Sequence, residues 1–224
     1  LVYHEAPIIV DSNDLVCLRP FGPALGHATM PDEVVKAFND DIDSGTNGPD
    51  WSGHLVGKVN EERLTPTEVL EPHKMFFTHA ALRYVSNYAS RYCRPIADDV
   101  RPQVTIQSAW YVRQGPGDFN PINLHTNAEL SCIGYLQMPE GIEQEWNEED
   151  QDHYPAQGHV EFMHGSPTFL NRASFMVRPK VSDFFIFPAD MYHTVYPFRT
   201  EGERRSFSMN IILSEKEDDD GKEQ

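Results

Sequence analysis

Cysteine is scarce in this sequence: Cys17, Cys93 and Cys132 are the only three among 224 residues, widely spaced and without a Cys-x-x-Cys pair. An odd, scattered set argues against a disulfide framework or a zinc site and fits reduced thiols in a cytoplasmic protein. Basic charge is also short. Eighteen Lys and Arg against 35 Asp and Glu leave a formal charge of −17, which repels phosphate backbones and anionic lipid and so argues against nucleic acid or a membrane as partner. No uninterrupted apolar run approaches the roughly 20 residues that span a bilayer. The amino terminus lacks the basic-then-apolar order of a signal peptide. There is no Gly-x-Ser-x-Gly elbow and no Gly-rich phosphate loop ahead of a helix, so hydrolase, kinase and dinucleotide-binding readings fall away. What remains is an acidic chain whose partner is a small molecule, a peptide or a protein.

The length fits one domain with a substantial core. We expect that domain over residues 1–213, with helical support mostly in 1–101, a β core in 102–213 and a solvated acidic tail in 214–224. The tail carries six carboxylates, two lysines and nothing apolar. Pro31 to Ile42 reads as a short amphipathic helix, with acids in its first turn and Val34, Val35, Phe38 and Ile42 at helical spacing. The Gly, Ser, Asn and Asp of 43–57 read as a loop. From Glu71 to Cys93 one apolar stripe, Phe77, Ala81, Val85, Tyr88 and Tyr92, predicts a longer helix packed on a sheet and ended by Arg94-Pro95.

After Pro102 the pattern changes to short β-rich runs: Val104–Gln114, Glu129–Gln137, His159–Met163, Ser174–Val177, Phe184–Pro188, His193–Pro197 and Arg205–Leu213. Seven short strands behind two helices predict an α+β fold built on a barrel or sandwich. The interruption 140–157, with Trp146 in an acidic cluster and His153, Tyr154 and Pro155 at its end, reads as a structureless excursion that is either a lid or surface.

Three features carry chemistry. Asn123, His125 and Asn127 are spaced by two, so an extended backbone puts them on one face. His193 follows the apolar run Phe184–Phe187 and a turn at Ala189 and Asp190, a way to bring a second imidazole to a metal. Neutral imidazoles suit iron, zinc, nickel and copper alike, and open positions beside them are what non-heme iron oxygenases need. In the last run, alternation sets Arg204, Ser206, Ser208 and Asn210 on one face and Arg205, Phe207, Met209 and Ile211 on the other. A polar row inside a core is costly unless something polar meets it. A guanidinium beside a hydroxyl makes a fork for a carboxylate such as the distal one of 2-oxoglutarate; the competing reading has Arg204 in solvent. Trp110 and Trp146 are candidates for a substrate wall or for packing. His159 and His164 are expected to be hydrogen-bonded or at the surface.

From Trp110 to Ile211 the chain resembles the 2-oxoglutarate and Fe(II)-dependent oxygenase superfamily, in particular a branch from phages and bacteria. WYVRQ, GDFNPINLHT, LSCIGYLQMP, GHVEFMHGSP, DFFIFPADMYHTVYPF and RRSFSMN carry the likeness in order and spacing. The resemblance implies a double-stranded β-helix of jelly-roll, cupin-like type with flanking N-terminal helices. It further implies Fe(II) held by His125 and His193, and 2-oxoglutarate between iron and Arg204 with Ser206 assisting and Tyr135 in reach. It departs from the superfamily at one ligand: most members have Asp two residues after the first His, and here that residue is Asn127. Asn123 and Glu129 are the other nearby candidates for a third ligand, with water as the alternative. A hydroxylase with a two-His site, a halogenase and a cupin-like or structural protein without oxygenase chemistry all stay open on the sequence.

Overall fold

The computed structural model describes residues 16–18, 22–45, 48–54, 56–92, 102–147, 156–169 and 172–215. Its strands in chain order are β1 (Val16–Leu18), β2 (Leu25–Thr29), β3 (Glu61–Leu64), β4 (Pro102–Gln114), β5 (Asn120–Asn123), β6 (Leu130–Gln137), β7 (Val160–Met163), β8 (Ser174–Val177), β9 (Asp183–Pro188), β10 (Tyr192–Val195) and β11 (Arg204–Glu215). They form two antiparallel sheets, one ordered β1-β2-β9-β6-β11-β4-β3 and one ordered β5-β10-β7-β8. Two such sheets are the layers of a double-stranded β-helix, and the helices on the outside make the class α+β.

Strand alternation decides which residues face which layer. Phe207, Met209 and Ile211 of β11 join Cys132 and Leu136 of β6 and Phe184 and Ile186 of β9 under two helices. Helix α1 (Asp32–Ser44) follows Pro31, carries Asp32 and Glu33 in its first turn and buries Val34, Phe38 and Ile42. It stops at Gly45, whose φ of 69° suits glycine and whose N–H donates to the Ile42 carbonyl. After the short α2 (Thr67–Leu70), α3 (Lys74–Tyr92) buries Phe77, Ala81 and Tyr84 on the same surface. The side chains of Tyr88 and Tyr92 lie outside the described residues. Gly134 lets the Phe207 ring lie against β6, since a Cβ there would stand 2.2 Å from it.

The opposite faces of the strands meet each other. Leu25, Ile133, Tyr135, Phe185 and Phe187 from the larger sheet pack against Val160 and Phe162 from the smaller. This inner layer closes one end of the barrel and leaves the other, polar end as a cavity.

Several boundaries differ from the sequence reading. The supporting half also adds β1, β2 and β3 to the larger sheet. Segment 140–157 is not wholly structureless, because α4 (Ile142–Asn147) forms there; His153, Tyr154 and Pro155 lie outside the described residues. The Glu145 carboxylate accepts the backbone N–H of Arg199 at 2.9 Å, which ties α4 to the barrel. β11 runs on to Glu215, paired with Pro102, two residues into the expected tail. No helix among the described residues is long and apolar enough to cross a membrane.

Candidate metal and cosubstrate site

The cavity, of about 490 Å³, is lined by both histidines and by Ser206, Ser208 and Asn210 of the polar row of β11. That size lies in the range of small-ligand sites. Asn123 ends β5 and pairs with His193 on β10, so both sit on the inner face of the smaller sheet. His125, one turn of chain beyond, is pinned by backbone: its N–H donates to the Ala189 carbonyl at 2.8 Å, and the Ala189 N–H donates to Glu129 at 3.0 Å. The loop carrying one imidazole is thereby clamped to the turn that introduces the other. The two rings end 5.1 Å apart, centre to centre.

The expectation that Asn123, His125 and Asn127 lie on one extended strand is corrected. β5 stops at Asn123 and the chain then loops, with Asn127 at φ 62°, a left-handed conformation asparagine tolerates. All three still line the cavity. Glu129 does not join them as a ligand, since its carboxylate accepts the backbone N–H of Leu213 at 2.8 Å.

Second partners fix the proton on each ring. Asn210 Oδ1 lies 2.7 Å from His125 Nδ1, and Ser131, its neighbour across β11 and β6, donates to the same oxygen at 2.9 Å. An amide oxygen only accepts, so His125 Nδ1 carries hydrogen. His193 Nδ1 in turn donates to the Met191 carbonyl at 3.1 Å. Each Nε2 keeps its lone pair, as a metal-binding imidazole requires. Burial lowers the pKa of both; that of His193 falls to about 4, with His125 as a second cause, and His125 is held up in part by Asn210. Neutral imidazoles of fixed tautomer fit a divalent cation.

Among the described residues no group of three or more His, Cys, Asp and Glu is gathered to hold a metal. The candidate donors that line the cavity are the two imidazoles and the amides of Asn123 and Asn127. Trp110, 5.4 Å from the His125 ring, forms part of the cavity wall. Trp146 is packing: it donates to the Gln157 carbonyl and meets the His159 ring edge-on. His159 is buried and bonded to Gln157 and Arg178, and neither it nor His164 lines this cavity.

Beyond the imidazoles the polar row continues to Arg204, which is fully buried, so the solvent-facing reading is overturned. Its Nε and Nη2 both donate to Gln114 Oε1, at 3.0 and 2.8 Å, across the β4–β11 pair, and Nη1 donates to the Gly158 carbonyl at 2.9 Å. Phe198 lies under the guanidinium at 5.2 Å. No carboxylate among the described residues forms an ion pair with it. Burial lowers its pKa to about 10, which leaves it charged at neutral pH. The Gln114 and Gly158 acceptors meet three of its five N–H groups, and the Tyr135 hydroxyl nearby is buried without a partner among the described residues. Ser206 lies opposite Tyr135, on the inner face of the same sheet. A buried cation short of an anion, with a spare hydroxyl beside it, fits a carboxylate such as that of 2-oxoglutarate.

The sequence reading missed three participants. Gln114 and Asn210 sit on strands it placed, yet their contacts to Arg204 and His125 span 90 and 85 positions. Glu62, on β3 opposite Val112, lines the cavity from the half read as support. Burial, with help from Asp50, raises the Glu62 pKa from 4.5 to about 7. A carboxyl whose folded pKa is raised binds more protons in the native state, so stability falls as pH rises from about 4.5 to 7. Glu62→Gln is expected to remove that slope, gaining roughly 2–3 kcal/mol at pH 8 and little at pH 4, as thermal melts across pH would show.

Residues 108–210 match a family model described as "Putative 2OG-Fe(II) oxygenase". No curated protein matches the sequence. Among solved structures the fold is similar to a prolyl-4-hydroxylase of Pseudomonas putida, at 14% identity and TM-score 0.51, covering 83% of this chain and 91% of that one. It is also similar to AviO1 of Streptomyces viridochromogenes, at 13% identity and TM-score 0.52, covering 84% and 89%. At such identities the likeness speaks for the fold, and the family match speaks for the chemistry its description gives. Over residues 108–210 the chain is similar to the 2-oxoglutarate and Fe(II)-dependent oxygenase family.

Proposed function

We propose that the protein is a hydroxylase-type member of this family, in which His125 and His193 hold Fe(II) through Nε2 and Arg204 anchors the distal carboxylate of 2-oxoglutarate. The observation that carries the reading is the fully buried Arg204, without an ion pair among the described residues, on the same strand face as Asn210, the partner of the His125 imidazole. A barrel kept for structure alone gives no reason to bury that charge. Tyr135 and Ser206 supply hydroxyls to the same carboxylate. Asn127 stands in the third ligand position, where an amide binds more weakly than a carboxylate and leaves room for solvent.

When bound, iron and 2-oxoglutarate supply the oxidising chemistry: dioxygen is consumed, 2-oxoglutarate is converted to succinate and CO2, and a substrate C–H becomes C–OH. The chain's own residues place and shield. Asn210 and Ser131 hold the His125 ring and keep its proton on Nδ1. Met191 does the same for His193. Gln114 and Gly158 fix the guanidinium plane, and with the Tyr135 hydroxyl nearby it would hold the distal carboxylate. Trp110 and Ile133 wall the cavity and keep water from the reacting end.

Anaerobic addition of Fe(II) and then 2-oxoglutarate is expected to give the weak visible charge-transfer band of the ternary complex in the parent and no band in His125→Ala. Absence of the band from a folded parent protein would defeat the reading.

A further inference from the structure

Glu62 is an acid on the inner wall of the cavity with nothing cationic to meet it among the described residues. Its neighbours show the contrast. Glu61, on the outer face of β3, is ion-paired with Arg63 and, at 2.7 Å, with Arg113. Alternation turns Glu62 the other way, opposite Val112 and into the cavity, where it is 4% exposed. There Asn120 is a hydrogen-bonding neighbour and Asp50 a repelling one. Oε1 of Glu62 has no hydrogen-bond partner at all. A buried carboxyl oxygen left this way is costly and calls for a donor.

The surroundings limit what that donor is. Trp51, Val56, Trp110 and Val112 line the cavity around Glu62, apolar and aromatic surface suited to an alkyl stem and to a cation over an indole. The Trp110 ring reaches on to His125, so one wall runs from the acid to the imidazoles. The formal charge of −17 draws cations toward the protein and disfavours anions. Arg204, buried next to the Ser206 end of the lining, would be met by the cosubstrate's carboxylate in the reading above.

Resting on the oxygenase reading above, we propose that the substrate carries a protonated amine or guanidinium on an alkyl stem, which pairs with Glu62 and so presents a C–H of the stem to the two-histidine site. Glu62 then sets specificity and takes no part in the oxidation.

The test uses the metal-free full chain at pH 8 with N-acetyl-L-lysine amide and N-acetyl-L-arginine amide as probes, read by tryptophan fluorescence. N-acetyl-L-norleucine amide serves as the uncharged control. At least one cationic probe is expected to bind the parent at least tenfold more tightly than the control, with the preference lost in Glu62→Gln and partly kept in Glu62→Asp. Equal binding of charged and uncharged probes, or a cation preference that survives in Glu62→Gln, overturns the proposal. So does the failure of both cationic probes to bind a parent protein that forms the iron and 2-oxoglutarate complex normally. That last outcome leaves the oxygenase reading standing, whereas loss of the complex itself strikes the reading and is measured separately.

Discussion

Arg204→Met is expected to cut 2-oxoglutarate affinity by about two to three orders of magnitude, on the order of 3–4 kcal/mol, while Fe(II) binding to the two histidines is kept. The size follows from where the guanidinium sits. It is fully buried, so its attraction for a carboxylate is weakly screened, and the partnerless Tyr135 hydroxyl nearby adds a donor to the charge. Methionine fills a comparable volume and carries no charge. The stability of the cosubstrate-free protein is expected to change little. Removing a buried cation that lacks an anion relieves a desolvation cost, while freeing Gln114 Oε1 and the Gly158 carbonyl adds one. These terms oppose each other, and the variant is expected to melt close to the parent. Calorimetric titration of 2-oxoglutarate into the iron-loaded protein, beside thermal melts without either, measures both. Unchanged affinity would mean that the cosubstrate lies elsewhere and that Arg204 is held only by Gln114 and Gly158.

The difference between what the sequence disclosed and what it hid follows from range. Arg204, Ser206, Ser208 and Asn210 were legible as one face because a strand's period of two is local, and the structure lines Ser206, Ser208 and Asn210 along the cavity with Arg204 at its end. His125 and His193 were legible because each sits in a longer pattern of strand and turn. Asn127 was placed on a strand because spacing by two cannot reveal a residue at φ 62°. β5, with two asparagines and a proline in four residues, has no strand signature of its own and exists through its pairing with β10. Glu62 was hidden for a related reason. The run Glu-Glu-Arg-Leu reads as solvated surface, and only pairing with β4 turns its second acid inward. The two-bond grip of Gln114 on Arg204 depends on strand register, which no local pattern carries.

Asn127→Asp is expected to raise Fe(II) affinity by about one to two orders of magnitude, because the charge count of the ligands strongly tunes the affinity of a site for a hard divalent cation. The backbone permits the change. Aspartate tolerates a left-handed conformation nearly as asparagine does, so φ 62° adds little strain. The two side chains match in shape, and Asn127 already lines the cavity with both imidazoles. The new carboxylate enters a region where no other acid joins the histidines, so iron meets one added negative charge. Without iron, that charge is close to buried imidazoles and is expected to lift the pKa of His193 from its value of about 4. Fe(II) competition against a chelating dye, parent beside variant at fixed pH, gives the affinity ratio. A gain identifies position 127 as the third ligand place and the natural amide as what keeps it weakly held. No gain, with the fold unchanged, places 127 outside ligand reach, and the parent site is then a two-histidine centre completed by solvent and cosubstrate alone.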